Sequence, residues 1–93
     1  VFREQASRLP CSSIKSMIGH PLGASGAMQT ATAALAIRHK AIPPTINLED
    51  PEPDFPLEFV ANQARERRVR HALSNSFGFG GTNASLVLSA FEP

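Results

Sequence analysis

The feature that most constrains this chain is an alanine-rich stretch, PLGASGAMQTATAALAIRHK, at residues 21–40. Its larger side chains recur every three to four residues, which is the helical period, and predict a helix from about Pro21 to Arg38. Pro21 suits the first helical position, and His39 and Lys40 suit the negative end of the helix dipole. Because small side chains lie nearly all round it, the helix is suited to close packing against a sheet or another helix, and a 93-residue monomer could hardly cover it.

Length and charge limit the classes of protein to consider. The 93 residues are 42% hydrophobic and 18% charged, which suits one small globular unit and leaves little room for a second domain. The net charge is +1, and the basic residues are scattered except for an arginine cluster that we interpret as a solvated face, so no nucleic-acid partner is expected. The cluster comprises Arg65, Arg67, Arg68 and Arg70.

The sequence also predicts where the protein is located and whether the chain is a fragment. No apolar run approaches the roughly 20 residues that span a bilayer, and residues 1–10 lack the pattern of a signal peptide, so we expect a cytoplasmic protein without membrane contact. The chain starts without Met, and Val1–Phe2 resembles the end of an element that begins elsewhere. We therefore expect a fragment of a longer chain.

Cysteine usage excludes two further classes of site. A lone Cys11 cannot form an internal disulfide, and one Cys with three dispersed His lacks any zinc-ligand spacing. No metal is expected. Cys11 lies in a strand-like run with no neighbouring feature that would lower the pKa of its thiol, so a buried, inert thiol is expected.

The other elements follow from local patterns. Residues 9–14, LPCSSI, suit a strand that ends near Lys15. The prolines of residues 41–57 predict a connector of extended or turning backbone rather than a helix. LEFV at 57–60 predicts a short strand followed by a polar, arginine-rich loop. Four apolar side chains could anchor the connector: Ile42, Ile46, Leu48 and Phe55.

A pair of strands is predicted near the end of the chain. HALSNSF at 71–77 and NASLVLSAF at 83–91 are separated by the glycine turn GFGGT. The second strand alternates, with Ala84, Leu86 and Leu88 on one face and Ser85, Val87 and Ser89 on the other.

His20 supports two hypotheses. It directly precedes Pro21 at the predicted helix start, where unpaired N–H groups present partial positive charge and disfavour an imidazolium. A neutral imidazole there can donate N–H to a developing enolate or thioester oxygen, and Lys15 would add positive charge nearby. On local grounds a merely capping or hydrogen-bonded histidine, with an exposed lysine, is the more common outcome.

The turn NSFGFGGTN at residues 75–83 also supports two hypotheses. A minimal hairpin turn needs only two residues such as Asn-Gly, so three glycines and two phenylalanines suggest a further role. The glycines release the backbone, so that the Phe79 amide could point outward as a donor. Alternatively, Phe77 and Phe79 simply fill the core.

Two other motifs fail. In GASGA, Gly23 and Ser25 fit the nucleophile elbow G-x-S-x-G, but Ala27 replaces its second glycine. GFGG is followed by a strand pattern, whereas a dinucleotide-binding fingerprint must open a helix.

Three stretches together, SSIKSMIGHPLGASGA, IPPTINL and LSNSFGFGGTNASLVL, closely resemble the C-terminal end of β-ketoacyl-acyl carrier protein synthases. These are the elongating condensing enzymes of fatty-acid synthesis. The residues of the three motifs are more similar to those of the stand-alone type II enzymes than to those of polyketide ketosynthase domains. The resemblance spans nearly all of residues 1–93 but only about the last quarter of a family chain.

The resemblance implies roles for four residues. Lys15 and His20 match the family's catalytic Lys and His, the histidine stabilising the enolate formed when malonyl carrier protein loses carbon dioxide. Phe79 matches the gate to the acyl pocket and contributes its amide to the oxyanion hole, so Phe79 and the adjacent Gly78 are assigned to substrate binding. The family's nucleophilic Cys and its second catalytic His, in an H-G-T-x-T motif, precede the matched segment, and Cys11 does not replace that nucleophile.

The resemblance also implies a fold and partners. The fold would be α/β, the C-terminal part of a thiolase-like fold with a mixed sheet and a buried alanine-rich helix. The parent would be a homodimeric acyltransferase without a cofactor of its own, acting on substrates carried on the phosphopantetheine of acyl carrier protein, and the fragment alone would be inactive. The alternatives are a non-catalytic truncated paralogue or interaction module, also of polyketide type, and a small acyl or phosphopantetheine binder.

Overall fold

The computed structural model describes all residues from 1 to 93, and their contacts divide them into two compact units, whereas the length alone suggests one. The first unit comprises residues 1–19 and 42–65, and the second comprises residues 20–41 and 66–93. Two 3₁₀ helices, Arg3–Arg8 and Leu22–Ala24, accompany the longer elements. In chain order these are β1 (Pro10–Cys11), α1 (Lys15–Ile18), α2 (Ser25–His39), β2 (Ala41–Ile42), β3 (Glu58–Phe59), β4 (Arg65–Glu66), β5 (His71–Phe77) and β6 (Asn83–Ser89).

The first unit is organised around Val60, which is 1% exposed and is its one buried hydrophobic residue. Strand β1 pairs in parallel with β3, and the ladder continues into Val60, whose N–H donates to the Cys11 carbonyl at 3.0 Å. The Val60 carbonyl accepts the Thr45 N–H at 2.8 Å. Strands are therefore confirmed within residues 9–14 and 57–60, although each is only two residues long.

The first strand is shorter than predicted because its serines bond elsewhere. The Ser12 hydroxyl donates to the Pro43 carbonyl, and the Ser13 N–H donates to Thr45 Oγ1 at 2.9 Å. Such side-chain bonds offer the backbone an alternative to a ladder. Lys15 consequently begins the four-residue helix α1 instead of ending a strand.

The proline-rich connector contains no helix and turns at residues 46–47 and 53–54, as extended or turning backbone predicts. Polar bonds fix it to the rest of the first unit. The Ile46 N–H donates to Ser16 Oγ at 2.9 Å, and the Asn62 side chain exchanges two hydrogen bonds with the backbone of Leu48. Ile42, like these two apolar residues, is half-buried. The predicted fourth anchor is wrong: Phe55 is exposed, because it closes a surface turn in which its N–H donates to the Glu52 carbonyl.

The sequence pattern suggested that the arginine-rich stretch is a loop, but part of it forms a strand. Residues Arg65–Glu66 form β4, which pairs with β2. A charged strand is tolerated there because the Arg65 guanidinium donates to Glu58 Oε1 at 2.6 Å. The other three arginines of the cluster are exposed, as a solvated face requires.

The second unit contains a hairpin with α2 on one face. Strands β5 and β6 are antiparallel, with His71 opposite Ser89 and Phe77 opposite Asn83. Strand β5 has the predicted range, whereas β6 ends at Ser89, two residues before the predicted end. The Ser74 and Ser76 hydroxyls both donate to Gln29 Oε1 of α2, at 3.2 and 3.4 Å. Residues that lie opposite each other share a face, so the predicted alternation is confirmed and the face toward α2 comprises Ala72, Ser74, Ser76, Ala84, Leu86 and Leu88.

The predicted helix exists, but it begins later than Pro21. A 3₁₀ helix occupies Leu22–Ala24, and α2 runs from Ser25 to His39. The delay has a local cause, because Leu22 has φ +51° and a left-handed residue interrupts a right-handed helix. None of the helices is long and apolar enough to cross a membrane.

We predict that Gly81→Ala destabilises the protein whereas Gly23→Ala does not. Gly81 has φ +84°, a conformation that costs a residue with a Cβ about 1–2 kcal/mol. At both positions an added Cβ meets nothing within 4 Å, and only Gly81 has a positive φ, so Gly23→Ala is the matched control. Denaturant unfolding of the full-length protein measures the difference, and equal free energies of unfolding for the two variants would contradict it.

Candidate active site

His20 occupies a corner between the two helical segments, and its Nδ1 atom has two partners. The Leu22 N–H donates to Nδ1 at 3.0 Å, and Ser25 Oγ lies 3.2 Å from the same atom. A backbone N–H can only donate, so Nδ1 accepts, and the neutral imidazole carries its proton on Nε2. No residue of the chain bonds Nε2, so the ring offers an N–H donor at an exposed position.

The two hypotheses for His20 are therefore compatible. The ring caps the 3₁₀ turn through Nδ1, as the structural hypothesis requires, and keeps Nε2–H available for the catalytic one. The expected position at the start of the α-helix is wrong by one turn, because α2 begins only at Ser25.

The glycine turn at residues 78–82 presents an unpaired backbone donor. The Gly78 N–H donates to the Thr82 carbonyl at 2.6 Å and closes the turn, while Gly80 and Gly81 adopt φ +81° and +84°. Between these constraints, the Phe79 N–H has no acceptor within the chain. An outward-facing amide donor is what the sequence pattern suggested.

The Phe79 side chain is equally free. Its exposure is 105%, and that of Phe77 is 77%, so neither ring fills a core made by these residues. An unpaired amide with an exposed apolar ring beside it is suited to binding an acyl thioester, because the amide can bond the oxygen and the ring can cover hydrocarbon.

The His20 corner and the glycine turn lie at the same end of the second unit. Gly26 of α2 lies against Ser76 of β5, where an added Cβ would meet the hydroxyl oxygen at 3.7 Å. Gln29, further along the helix, bonds Ser74 as well, so α2 runs antiparallel to β5. The start of α2, to which His20 is bonded through Ser25, is therefore beside the end of β5, where the turn follows directly.

Lys15 belongs to the first unit. It begins α1, is exposed, and its ammonium group makes no ion pair within the chain. Four residues of sequence connect it to His20. Of the four predicted site residues, the structure thus brings together His20, Gly78 and Phe79 in one unit.

Cys11 has the properties expected of an inert thiol. Burial, and secondarily the carboxylate of Glu58, raise the pKa of Cys11. A raised pKa reduces the thiolate fraction, and the thiolate is the nucleophilic form. The structure therefore supports leaving Cys11 out of the catalytic residues.

Sequence reasoning missed two contributors to the corner. Ser25 was considered only as part of a failed nucleophile motif, and the Leu22 amide was not considered at all. A signal for Ser25 does exist, since it is a hydroxyl residue near the start of a helix that follows a histidine. The left-handed conformation of Leu22 has no sequence signal, because leucine rarely adopts it.

The chain is similar in sequence to known proteins over most of its length. The profile of the family described as the β-ketoacyl synthase C-terminal domain matches residues 1–49, which include Lys15 and His20. The chain belongs to the β-ketoacyl synthase family. The chain is 56% identical over 88 residues to 3-oxoacyl-[acyl-carrier-protein] synthase 2 of Coxiella burnetii, and 52% identical over 88 residues to the synthase of that name from Rhizobium meliloti. Each match covers 95% of this chain and 21% of the relative, so the chain spans about a fifth of the length of these synthases.

Solved ketosynthase structures share the fold. The ishigamide ketosynthase/chain length factor matches 85% of this chain and 20% of its own, with 46% identity and a TM-score of 0.82. A type II polyketide ketosynthase in complex with its acyl-carrier protein matches 90% of this chain and 21% of its own, with 36% identity and a TM-score of 0.86. The predicted α/β, thiolase-like fold of a β-ketoacyl synthase segment is thereby confirmed.

We predict that Cys11 alkylates only at a pH above that needed by an exposed cysteine. Because burial and Glu58 raise the pKa of Cys11, the thiolate forms at higher pH and the reaction rate rises later. Mass spectrometry of the Cys11 peptide after iodoacetamide treatment across pH 7–11 measures the midpoint, with free glutathione as the reference. A midpoint at or below that of glutathione would refute the inert thiol.

Proposed function

We propose that residues 1–93 are the C-terminal portion of a 3-oxoacyl-[acyl-carrier-protein] synthase domain, whose nucleophile lies in residues outside this segment. The reaction is a decarboxylative condensation of an acyl thioester with malonyl carrier protein, which lengthens the acyl chain by two carbons. The observation that carries the proposal is the His20 corner, where Leu22 N–H occupies Nδ1 and leaves Nε2–H as a donor at the end that also holds the Phe79 amide.

His20 acts on the malonyl thioester. Loss of carbon dioxide breaks the bond from the α-carbon to the carboxylate and moves its electron pair into an enolate. The Nε2–H donates to the enolate oxygen as negative charge develops there, which lowers the barrier without a net proton transfer. Lys15, the charged residue nearest to His20 in the sequence, adds a positive potential that favours the anionic intermediate.

Phe79 acts on the acyl thioester. The enolate carbon attacks the thioester carbonyl, a carbon–carbon bond forms, and the nucleophile's thiolate leaves. Charge on the carbonyl oxygen in between is met by the Phe79 N–H, a fixed donor of a kind whose removal costs about 10²–10³ in rate. Gly78 lets the backbone approach, and the Phe79 ring covers the acyl chain.

The acyl and malonyl groups arrive on the phosphopantetheine of acyl carrier protein, and the enzyme needs no cofactor of its own. One solved relative is a ketosynthase in complex with its acyl-carrier protein, which supports this partner. The other partners are the rest of the synthase chain and a second copy in a homodimer. We place the enzyme in the cytoplasm.

Fatty-acid elongation is the preferred pathway. The first two synthases compared are named 3-oxoacyl-[acyl-carrier-protein] synthase 2, at 56% and 52% identity. The ketoacyl synthase alpha subunit for tetracenomycin in Streptomyces glaucescens is 52% identical, so product analysis has to separate the pathways. A single two-carbon extension that stops at the 3-oxoacyl product supports the fatty-acid assignment, and repeated extension without reduction supports the polyketide one.

We predict that His20→Ala lowers malonyl carrier protein decarboxylation by the full-length protein about 10²-fold, because the enolate loses its donor. Release of carbon dioxide measures the rate. His71→Ala is the matched control, since His71 is also exposed and its Nδ1 also bonds a serine, Ser89 at 2.9 Å, but at the opposite end of the hairpin. Equal rates for the two variants would defeat the assignment.

We predict that Phe79→Ala impairs acyl transfer to the enzyme while thermal stability is retained, because the fully exposed ring contributes nothing to packing. Stopped-flow acylation with acyl carrier protein substrates of several chain lengths measures the rate. Phe91→Ala controls for loss of an equally exposed ring beyond the other end of β6. Acylation kinetics unchanged from those of the unaltered enzyme would count against the gate.

A further inference from the structure

We propose that Ser25 is a positioning residue for His20: its buried hydroxyl and the Leu22 N–H together hold the imidazole in one orientation. Ser25 is 8% exposed and is the one buried polar residue of the chain. Its catalytic meaning rests on the function proposed above, whereas the contact itself does not.

The Ser25 hydroxyl is used differently from the other hydroxyls of α2. Thr30 donates to the Gly26 carbonyl and Thr32 to the Met28 carbonyl, both at 2.8 Å, which is the usual bond to the residue four positions earlier. Ser25 makes no such bond, and His20 Nδ1 is its partner. The hydroxyl is therefore committed to the ring rather than to the helix backbone.

Burial gives that commitment an energetic reason. A buried hydroxyl without a partner is costly, and no buried polar side-chain atom of the chain lacks one. If the His20 ring turned away, Ser25 Oγ would lose its partner in a place that water hardly reaches. The serine thus penalises every ring orientation except the one that returns Nδ1 to it.

Two donors restrict the ring where one would not. The second side-chain torsion of histidine is broad, so a single bond from Leu22 N–H leaves the ring free to swing about that bond. Ser25 belongs to α2, which Gln29 fixes to β5 through two serine hydroxyls. The position of the His20 ring is consequently fixed relative to β5, the strand that leads into the glycine turn with Phe79.

This coupling has a consequence for rate. The Nε2–H must meet an enolate oxygen on a substrate bound by other residues, and a misplacement of about 1 Å can cost roughly 10²-fold. Loss of one of two orienting bonds is milder, because the ring still visits the productive orientation. Loss of the Ser25 hydroxyl should therefore lower kcat more than it changes KM.

Three variants of the full-length protein test the inference. Ser25→Ala removes the hydroxyl, Ser25→Thr keeps it, and Thr30→Ala is the control for loss of a half-buried α2 hydroxyl that bonds a backbone carbonyl instead. Carbon dioxide release from malonyl carrier protein gives kcat and KM. Nuclear spin relaxation of the ring carbon–hydrogen bonds of ¹³C-labelled histidine, with His20 assigned by its absence in His20→Gln, gives ring order.

We expect Ser25→Ala to lower kcat about threefold to tenfold, the range that one lost hydrogen bond gives, with KM unchanged and lower His20 ring order. Ser25→Thr and Thr30→Ala should match the unaltered protein in both readouts. Unchanged kcat and ring order in Ser25→Ala would overturn the inference, as would equal impairment of Ser25→Ala and Ser25→Thr with normal ring order. If the unaltered protein releases no carbon dioxide, the proposed function fails, and ring order alone still decides whether Ser25 positions His20.

Discussion

The close packing of α2 against β5 is the constraint on which the candidate site depends. A glycine at position 26 lets the helix meet Ser76, and Gln29 accepts hydrogen bonds from two strand serines one turn later. Small polar residues thus replace the large apolar side chains that usually join a helix to a sheet. Their geometry brings the start of the helix beside the end of the strand. The His20 corner and the glycine turn lie at those two points.

The same small side chains leave the chain with little core of its own. Its accessible surface is 7302 Å², whereas a compact protein of about 10 kDa exposes about 5,200 Å². Large apolar side chains such as Leu73, Phe77 and Val87 are exposed on the hairpin face away from α2. The alanine pattern predicted this need for cover, and matches to about a fifth of much longer synthases agree with it.

Features governed by pattern could be predicted, and features governed by single contacts could not. Alternation over residues 83–89 and the glycine turn before it predicted the hairpin and the two faces of its second strand, although not which face packs against α2. The prolines predicted the connector. The strand at Arg65 could not be foreseen, because it depends on pairing with β2, a strand distant in sequence. The late start of α2 depends likewise on Leu22, whose positive φ contradicts its propensity.

His20 has both a structural and a candidate catalytic role, and its two ring nitrogens explain how. Local statistics favour a structural histidine, and the ring does make structural bonds through Nδ1. A histidine has two nitrogens, however, and a structural bond on one fixes the tautomer that makes the other a donor. Under the proposed function the capping contact is therefore part of the chemistry. Because Leu22 N–H donates to Nδ1, the ring proton lies on Nε2, from which it can donate a hydrogen bond to an enolate oxygen.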